Sequence, residues 1–135
     1  MRYPSDERMS RVTPSQRQLR AGELIRHALA DILLRGETGD PELEALKVSV
    51  HEVQVSPDLK IATAYVSTLA KGGEERALAA LNRNRKYIRG LLAPKLEMKF
   101  MPEIRYRIDT ALDYASRIDE LLHRPEVARD LDPKK

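Results

Sequence analysis

A long helical segment between two strand-like segments constrains the fold most. Residues 60–68 and 103–109 each alternate apolar and polar side chains, which is typical of strands with one buried face. Between them, residues 74–96 carry apolar side chains at helical spacing, so the chain crosses over before it forms the later strand. A mixed sheet with helices packed on one face satisfies this order. The sequence therefore predicts an α+β fold.

An earlier strand forms a hairpin with the first of these segments. Residues 46–55 are rich in valine and alternate, except between Val50 and Val53. An extra residue near His51 and Glu52, a β-bulge, would place all the valines on one face. The short turn at residues 56–58 predicts an antiparallel hairpin. The helical crossover then leads us to expect that the third strand lies parallel to the first, in a three-stranded mixed sheet.

Helices are predicted at both ends of this core. Ser15 and Gln18 have the spacing of a capping box at the start of the first helix, and Gly36 is a natural stop. Residues 36–44 are expected to form a loop. The last helix is predicted from Thr110 to Leu122.

The two central helices are expected to meet at a kink or a break. Residues 82–86 include no apolar side chain, and asparagine is a poor residue for a helix interior. Asn84 is the candidate for the turn, because asparagine tolerates left-handed backbone angles better than most residues. Pro94 predicts a bend or an ending in the later helix.

Length and composition fit one small domain. The chain has 135 residues, enough for a single hydrophobic core. We predict a domain over residues 15–122, with flexible tails over residues 1–14 and 123–135. No cysteine is present, which excludes disulfides and zinc–thiolate sites. The polar N-terminus has no apolar signal core and no segment could span a bilayer, so we expect a cytoplasmic protein.

Positive charge is concentrated in the second half of the chain. Residues 83–107 include eight basic side chains and two acidic ones, although the net charge of the whole chain is only +3. Such asymmetry favours an anionic partner. The alternative is an ordinary solvated face rich in lysine and arginine.

No constellation of catalytic residues is apparent. His27, His51 and His123 are scattered, and no phosphate-binding loop or pair of carboxylates at metal or acid–base spacing occurs. We therefore predict a protein that is not an enzyme, with no catalytic residues, metal site or cofactor.

Several separated motifs resemble one known family, ribosome-binding factor A. The order helix–strand–strand–helix–helix–strand is that of a type II KH domain, and the motifs follow it in sequence. The matching segments are residues 18–33, 53–62, 64–67, 80–83, 87–89, 102–106 and 117–122. The resemblance covers about residues 15 to 122.

The resemblance implies a bacterial assembly factor with a KH-like fold. Such factors bind the immature 30S ribosomal subunit, contact 16S rRNA near the decoding region and assist late maturation of the precursor ends. They act alongside ribosome-assembly GTPases and support growth in the cold. We expect a monomer that does not contact membranes.

The predicted RNA contact lies at the junction of the two central helices. KH modules hold a nucleic-acid backbone at such a junction, where helix amides and nearby cations attract phosphate. The family usually has an Ala-x-Gly kink there, and this chain has Asn84-Arg85-Lys86 instead. The predicted RNA-binding residues are Arg83, Asn84, Arg85, Lys86, Arg89, Arg105 and Arg107.

Stacking of bases on aromatic rings is not expected to dominate. Tyr65, Tyr87 and Tyr106 occupy patterned positions and are predicted to lie in the core.

Two other functions compete with rRNA binding. One is a protein–protein adaptor that keeps the fold but binds no RNA, and the weaker one is a small RNA-processing enzyme.

Overall fold

The computed structural model describes residues 13–110, together with Ala115, Ile118, Asp119 and Leu122. Its elements are α1 Gln16–Leu34, α2 Pro41–Leu46, β1 Val48–Val55, β2 Ile61–Thr68, α3 Glu74–Arg83, α4 Arg85–Leu96 and β3 Glu103–Ile108. Ser15–Asp109 forms one compact unit. The four residues beyond Thr110 are helical. The rest of the predicted last helix, residues 1–12 of the first predicted tail and the whole second tail lie outside the described residues.

The three strands form one mixed sheet in the order β1-β2-β3. β2 is antiparallel to β1, with Val48 opposite Thr68, and parallel to β3, with Ile61 opposite Glu103. β3 therefore runs antiparallel to β1, and the expectation that these two strands are parallel was wrong. A helical crossover returns the chain to the end of the sheet where the preceding strand began. The strand that becomes parallel to β3 is therefore β2.

The predicted β-bulge in β1 is confirmed. Val50 pairs with Val66 and Glu52 pairs with Tyr65, so His51 is the extra residue in the register. As a result, Val50, Val53 and Val55 all point into the core.

The core lies between one face of the sheet and the helices. α1 packs on β1, while α3 packs on β2 and β3. The buried side chains of this layer include Ile25, Leu29, Ile32, Ala62, Ala64, Val66, Leu81, Ile88, Leu92, Ile104 and Tyr106. The alternate residues of β3 are exposed on the other face. The KH-like α+β fold predicted from the sequence is confirmed. None of the helices within the described residues combines the length and apolarity needed to cross a membrane.

The first helix begins and ends where its sequence predicts. Ser15 Oγ accepts a hydrogen bond from the Gln18 amide at 3.1 Å, and the Gln18 side chain accepts one from the Ser15 amide at 2.9 Å. Gln18 Nε2 also donates to the Val55 carbonyl at 2.8 Å, which ties the helix start to the end of β1. Gly36 follows the helix at a φ of 64°, a left-handed value that suits glycine.

Residues 36–44 were expected to form a loop, but part of this segment is helical. Asp40 caps α2 by accepting a hydrogen bond from the Glu42 amide at 2.9 Å, and Pro41 occupies the first turn. Aspartate before proline is a favoured helix start. The helix buries Leu43 and Leu46 and is capped by Lys47 in a left-handed conformation, so β1 begins at Val48 rather than at residue 46. α4 continues through Pro94 to Leu96, so of the two outcomes expected at this proline the ending does not occur there.

Tyr106 carries a buried hydroxyl with no hydrogen-bond partner among the described residues. Burial raises the pKa of this hydroxyl to about 12. Folding removes this hydroxyl from water without giving it a hydrogen bond in return. We therefore expect Tyr106→Phe to leave the free energy of unfolding unchanged or to raise it by up to about 1 kcal/mol. Urea unfolding at pH 7 measures this. A loss of stability would contradict the absence of a partner.

The pH dependence provides a second readout for the same variant. Because the folded-state pKa of Tyr106 lies above its ordinary value of 10.0, the neutral hydroxyl is favoured in the folded state. The contribution of the neutral hydroxyl to the free energy of unfolding is fully present below about pH 10 and decreases as the pH rises towards 12. Tyr106→Phe should lack this alkaline decrease.

Candidate nucleic-acid interface

The junction between α3 and α4 consists of a single residue, Asn84. Its backbone angles are φ −98° and ψ 13°, so the break expected here is confirmed but the left-handed turn is not. Its side-chain amide instead holds the junction. Nδ2 donates to the Ala80 carbonyl at 2.8 Å and to Asp40 Oδ2 at 2.7 Å. The Ala80 carbonyl also accepts a hydrogen bond from the Asn84 backbone amide at 3.1 Å, so main chain and side chain both tie Asn84 to the end of α3.

Two acids of the α2 region, Asp40 and Glu42, form an acidic clamp against α3. Arg83 donates to Asp40 Oδ2 at 2.7 Å and to Glu42 Oε1 at 3.2 Å, and Arg76 donates to Glu42 Oε2 at 3.0 Å. The hydrogen bond from Asn84, followed by that from Arg83, lowers the pKa of Asp40 to about 2. Bonds from Arg76 and Arg83 lower the pKa of Glu42 as well. The charge of Arg83 is therefore balanced within the protein.

On the other side of the junction, three arginines surround one carboxylate. This arginine cluster consists of Arg85, Arg89 and Arg105. Arg105 Nε lies 3.2 Å and Arg85 Nη1 lies 3.9 Å from Glu103 Oε2. The pKa of Glu103 is lowered chiefly by its hydrogen bond to Arg105, with further contributions from the charges of Arg85 and Arg89. A single carboxylate cannot balance three guanidinium groups, so the arginine cluster keeps an excess of positive charge.

Arg89 also fixes the segment that leads into β3. Its guanidinium donates to the Pro102 carbonyl at 2.6 Å and to the Met101 carbonyl at 3.0 Å. Both acceptors are neutral, so Arg89 retains its full charge while it ties α4 to the start of β3. The positive group is thereby held in one place, which lowers the entropy lost when it binds a ligand.

The start of α4 itself favours an anion. No side chain caps this helix, because the amide of Asn84 is used by Asp40 and Ala80. The first turn is basic and contains no acid, with Arg85 and Lys86 as its first two residues. Free amides, a positive helix end and adjacent cations together form the environment that phosphate groups prefer.

The chain is related along most of its length to one family of proteins. The family model for ribosome-binding factor A matches residues 17–122. Ribosome-binding factor A of Chelativorans sp. (strain BNC1) is 56% identical over 119 residues, which cover 87% of this chain and 89% of that protein. The chain belongs to the ribosome-binding factor A family. The resemblance found in the sequence motifs is thus confirmed.

Solved structures of this family have the same fold. The crystal structure of ribosome-binding factor A from Thermus thermophilus matches with a TM-score of 0.58 and 26% identity, over 67% of this chain and 94% of that one. A homology model of the Thermus thermophilus factor, fitted into a cryo-electron microscopy map of a 30S complex with that factor, matches with a TM-score of 0.51 and 28% identity. This match covers 62% of this chain and 86% of that one.

Five of the seven predicted RNA-binding residues divide into two groups. Arg83 and Asn84 turn towards the acidic clamp, whereas Arg85, Arg89 and Arg105 gather around Glu103. The remaining two are near members of the arginine cluster in sequence. Lys86 is exposed and follows Arg85 on α4, and Arg107 lies two residues beyond Arg105 on β3. The structure thus brings three of the seven predicted residues together around Glu103.

Two of the three tyrosines are not where the sequence pattern predicted. Tyr106 is buried, as expected, but Tyr87 is 54% exposed in the first turn of α4. Tyr65 lies on the face of the sheet away from the helices, where the Arg107 guanidinium is 5.7 Å from its ring centre. Helical spacing does not reveal which flank of a helix is covered, and this is why Tyr87 was wrongly assigned to the core.

Sequence reasoning missed the acids that shape this surface. Asp40 and Glu42 were assigned to a loop, and Glu103 was placed on the polar face of the third strand without a role in this surface. The Asp40-Pro41 pair was the available signal, since it favours a helix start and so places Glu42 in a first turn. Within the described residues, no group of three or more His, Asp or Glu side chains could hold a metal ion.

Asp40→Asn tests whether the acidic clamp stabilises the junction. The variant keeps the size and the capping oxygen but removes the charge that faces Arg83. Because the folded-state pKa of Asp40 is about 2, below its ordinary 3.8, the stabilisation is present above about pH 4 and is lost as the pH falls through about 2. We expect a lower urea midpoint for the variant at pH 7, with the difference shrinking as the pH is lowered to 3 and below.

The matched control for this prediction is Glu44→Gln in the same helix. Glu44 is exposed and makes no ion pair with any residue that the structure describes. The control removes an equal charge and should leave the midpoint nearly unchanged at pH 7. An Asp40→Asn difference that stays constant from pH 7 to pH 3 would contradict the assigned role of the charge.

Proposed function

We propose that this protein binds the immature 30S ribosomal subunit and contacts the phosphate backbone of 16S rRNA through the arginine cluster and the start of α4. The observation that carries the proposal is the excess of guanidinium charge around Glu103, next to a helix start without a side-chain cap. Phosphate binding needs both cations and oriented amide donors, and these lie side by side here.

The chemistry of this surface favours the backbone over the bases. Arg85 and Arg105 are held near Glu103, and Arg89 is fixed by two carbonyls. Such groups suit phosphates at defined positions. Phosphate contacts set the position and orientation of a protein on RNA but carry no direct sequence information. Recognition by RNA shape, with little reading of base sequence, is therefore the mode that we propose.

Family membership supports the same target. A relative, the Thermus thermophilus factor, has been fitted into a map of a 30S complex. By this relationship, we propose that the present chain assists late maturation and processing of 16S rRNA as a non-enzymatic factor in the cytoplasm. We further propose that it acts as a monomer, in partnership with ribosome-assembly GTPases, and that it supports growth in the cold.

Co-sedimentation tests the proposal directly. The full chain is mixed with purified immature 30S subunits and run on sucrose gradients at low and high potassium chloride. We expect the protein to migrate with the subunits at low salt, to be released at high salt and to be displaced by an excess of purified 16S rRNA. Migration as free protein at low salt would overturn the proposal. Co-migration that rRNA does not reduce would favour the protein–protein adaptor instead.

A further inference from the structure

A shallow groove of about 180 Å³ lies at the start of α1. Three separate segments enclose it: the first two turns of α1, the turn between β1 and β2, and the segment after α4. The residues that line the groove are Arg17, Arg20, Ala21, Leu24, Leu59 and Met98. We refer to it as the α1 groove.

The floor of the α1 groove is apolar although it is open to solvent. Leu24 is 42% exposed, and Leu59 and Met98 are only partly covered. Leu59 has a φ of 62°, a left-handed value that costs a residue with a Cβ about 1 kcal/mol. Its amide donates to the Ser56 carbonyl at 2.8 Å, so the turn holds the leucine in this conformation. The protein therefore keeps an apolar residue with a strained backbone at a position that is open to solvent.

The rim of the α1 groove is positive. Arg17 and Arg20 lie one helical turn apart, and neither makes an ion pair with any residue of the described part of the chain. Two nearby acids are already engaged. Glu23 accepts hydrogen bonds from Arg26 at 2.9 and 3.0 Å, and Asp58 accepts one from the Ser56 hydroxyl at 2.7 Å. The two rim arginines thus remain available to a ligand with negative charge.

This combination fits a peptide better than it fits RNA. The two arginines alone would suit phosphates, but a sugar-phosphate backbone has no apolar group to cover the floor of the groove, and the lining contains no aromatic ring on which a base could stack. Leucine and methionine side chains instead adapt to apolar side chains of a partner, and methionine is common on surfaces that bind peptides.

We propose that the α1 groove binds an acidic amphipathic segment of a protein of the small ribosomal subunit, which inserts one large apolar side chain between Leu24, Leu59 and Met98 and presents carboxylates to Arg17 and Arg20. The charge of the rim and the apolar floor together define this partner chemistry. The proposal rests on binding to the 30S subunit as the proposed function, and it adds a protein contact to the RNA contact made by the arginine cluster.

Site-specific photo-crosslinking tests this inference. A photo-reactive amino acid is placed at Leu24 in the full chain, or at Met98 in a second variant, and the protein is irradiated in complex with purified immature 30S subunits. We expect a crosslink to an acidic segment of a ribosomal protein, located by mass spectrometry. Arg17→Glu with Arg20→Glu should lower its yield by roughly tenfold, because like charges then face each other. The same group at Leu34, at the other end of α1, is the matched control and should not reach that segment.

Each result of this experiment is decisive. Crosslinks from both positions to rRNA alone would overturn the inference, as would the absence of crosslinks in a complex that still co-sediments. Equal yields with and without the two charge reversals would also overturn it. If the chain does not co-sediment with the subunit at all, the proposed function fails first and the inference fails with it.

Discussion

Replacement of Arg85, Lys86 and Arg89 together by alanine is expected to weaken binding to the 30S subunit by roughly 100-fold, since each lost phosphate contact contributes about 1 kcal/mol. These side chains lie in the first two turns of α4, where two belong to the arginine cluster and the third is exposed beside it. The slope of the logarithm of affinity against the logarithm of salt concentration should also become shallower by about two to three. Affinity measured over a range of potassium chloride concentrations gives both quantities.

A matched triple variant distinguishes a specific contact at this surface from an effect of the protein's total charge. Arg26, Arg35 and Lys71 lie on α1, just after α1 and in the turn before α3, and their replacement by alanine removes the same net charge. We expect at most a small loss of affinity for that control. Because Arg89 also holds the Met101 and Pro102 carbonyls, the double variant Arg85→Ala with Lys86→Ala provides a version that leaves this anchor intact. Equal losses in the control and the test variant would refute a defined RNA contact.

Gly22→Ala is expected to destabilise the protein by about 1–3 kcal/mol, as overpacking in a well-packed core does. Gly22 is buried in α1, where the helix lies against β1. A Cβ at this position would lie 2.5 Å from the Val53 carbonyl oxygen and 3.7 Å from Val55 Cγ2. The nearest obstacle is backbone within the sheet, which cannot rotate away as a side chain can. The clash should therefore exceed the gain of about 1 kcal/mol that alanine brings to a helix interior. Urea unfolding measures the difference.

Gly90→Ala is the matched control, because Gly90 also lies inside a helix. Its position is exposed, and nothing lies within 4 Å of a Cβ built there. Only the helix propensity remains, so this variant should gain about 0.5–1 kcal/mol in the free energy of unfolding. We therefore predict that the two glycine-to-alanine substitutions change the free energy of unfolding in opposite directions. A gain in stability for Gly22→Ala would show that helix and sheet can separate at that contact.

Patterns within one element were sufficient to predict most of the fold. The capping box at Ser15, the slip that marks the bulge at His51 and the alternation of β3 each depend on neighbours in the chain, and each is confirmed. The direction of β3 relative to β1 was wrong because it depends on how a crossover returns the chain to the sheet. The closeness of Gly22 to β1 could not be predicted, since spacing within α1 says nothing about its distance from a strand.

The candidate site was only partly predictable for the same reason. Charge counting found the region, but a count does not show which cations are already paired. Arg83 and Arg85 are two residues apart, yet one turns to Asp40 and Glu42 and the other towards Glu103. These acids are distant from the junction in sequence, and only folding brings them to it. The assignment of individual residues to RNA binding remains a prediction for the experiments above.

The bond between Asn84 and Asp40 restricts how this chain can change its sequence. A side chain bridges two segments that are distant in the sequence, so the effects of substitutions at positions 40 and 84 are coupled. A glycine at position 84 would release Asp40 from selection at this contact, whereas loss of Asp40 first would leave the asparagine with a single anchor at Ala80. The effect of a substitution at either position therefore depends on which residue occupies the other.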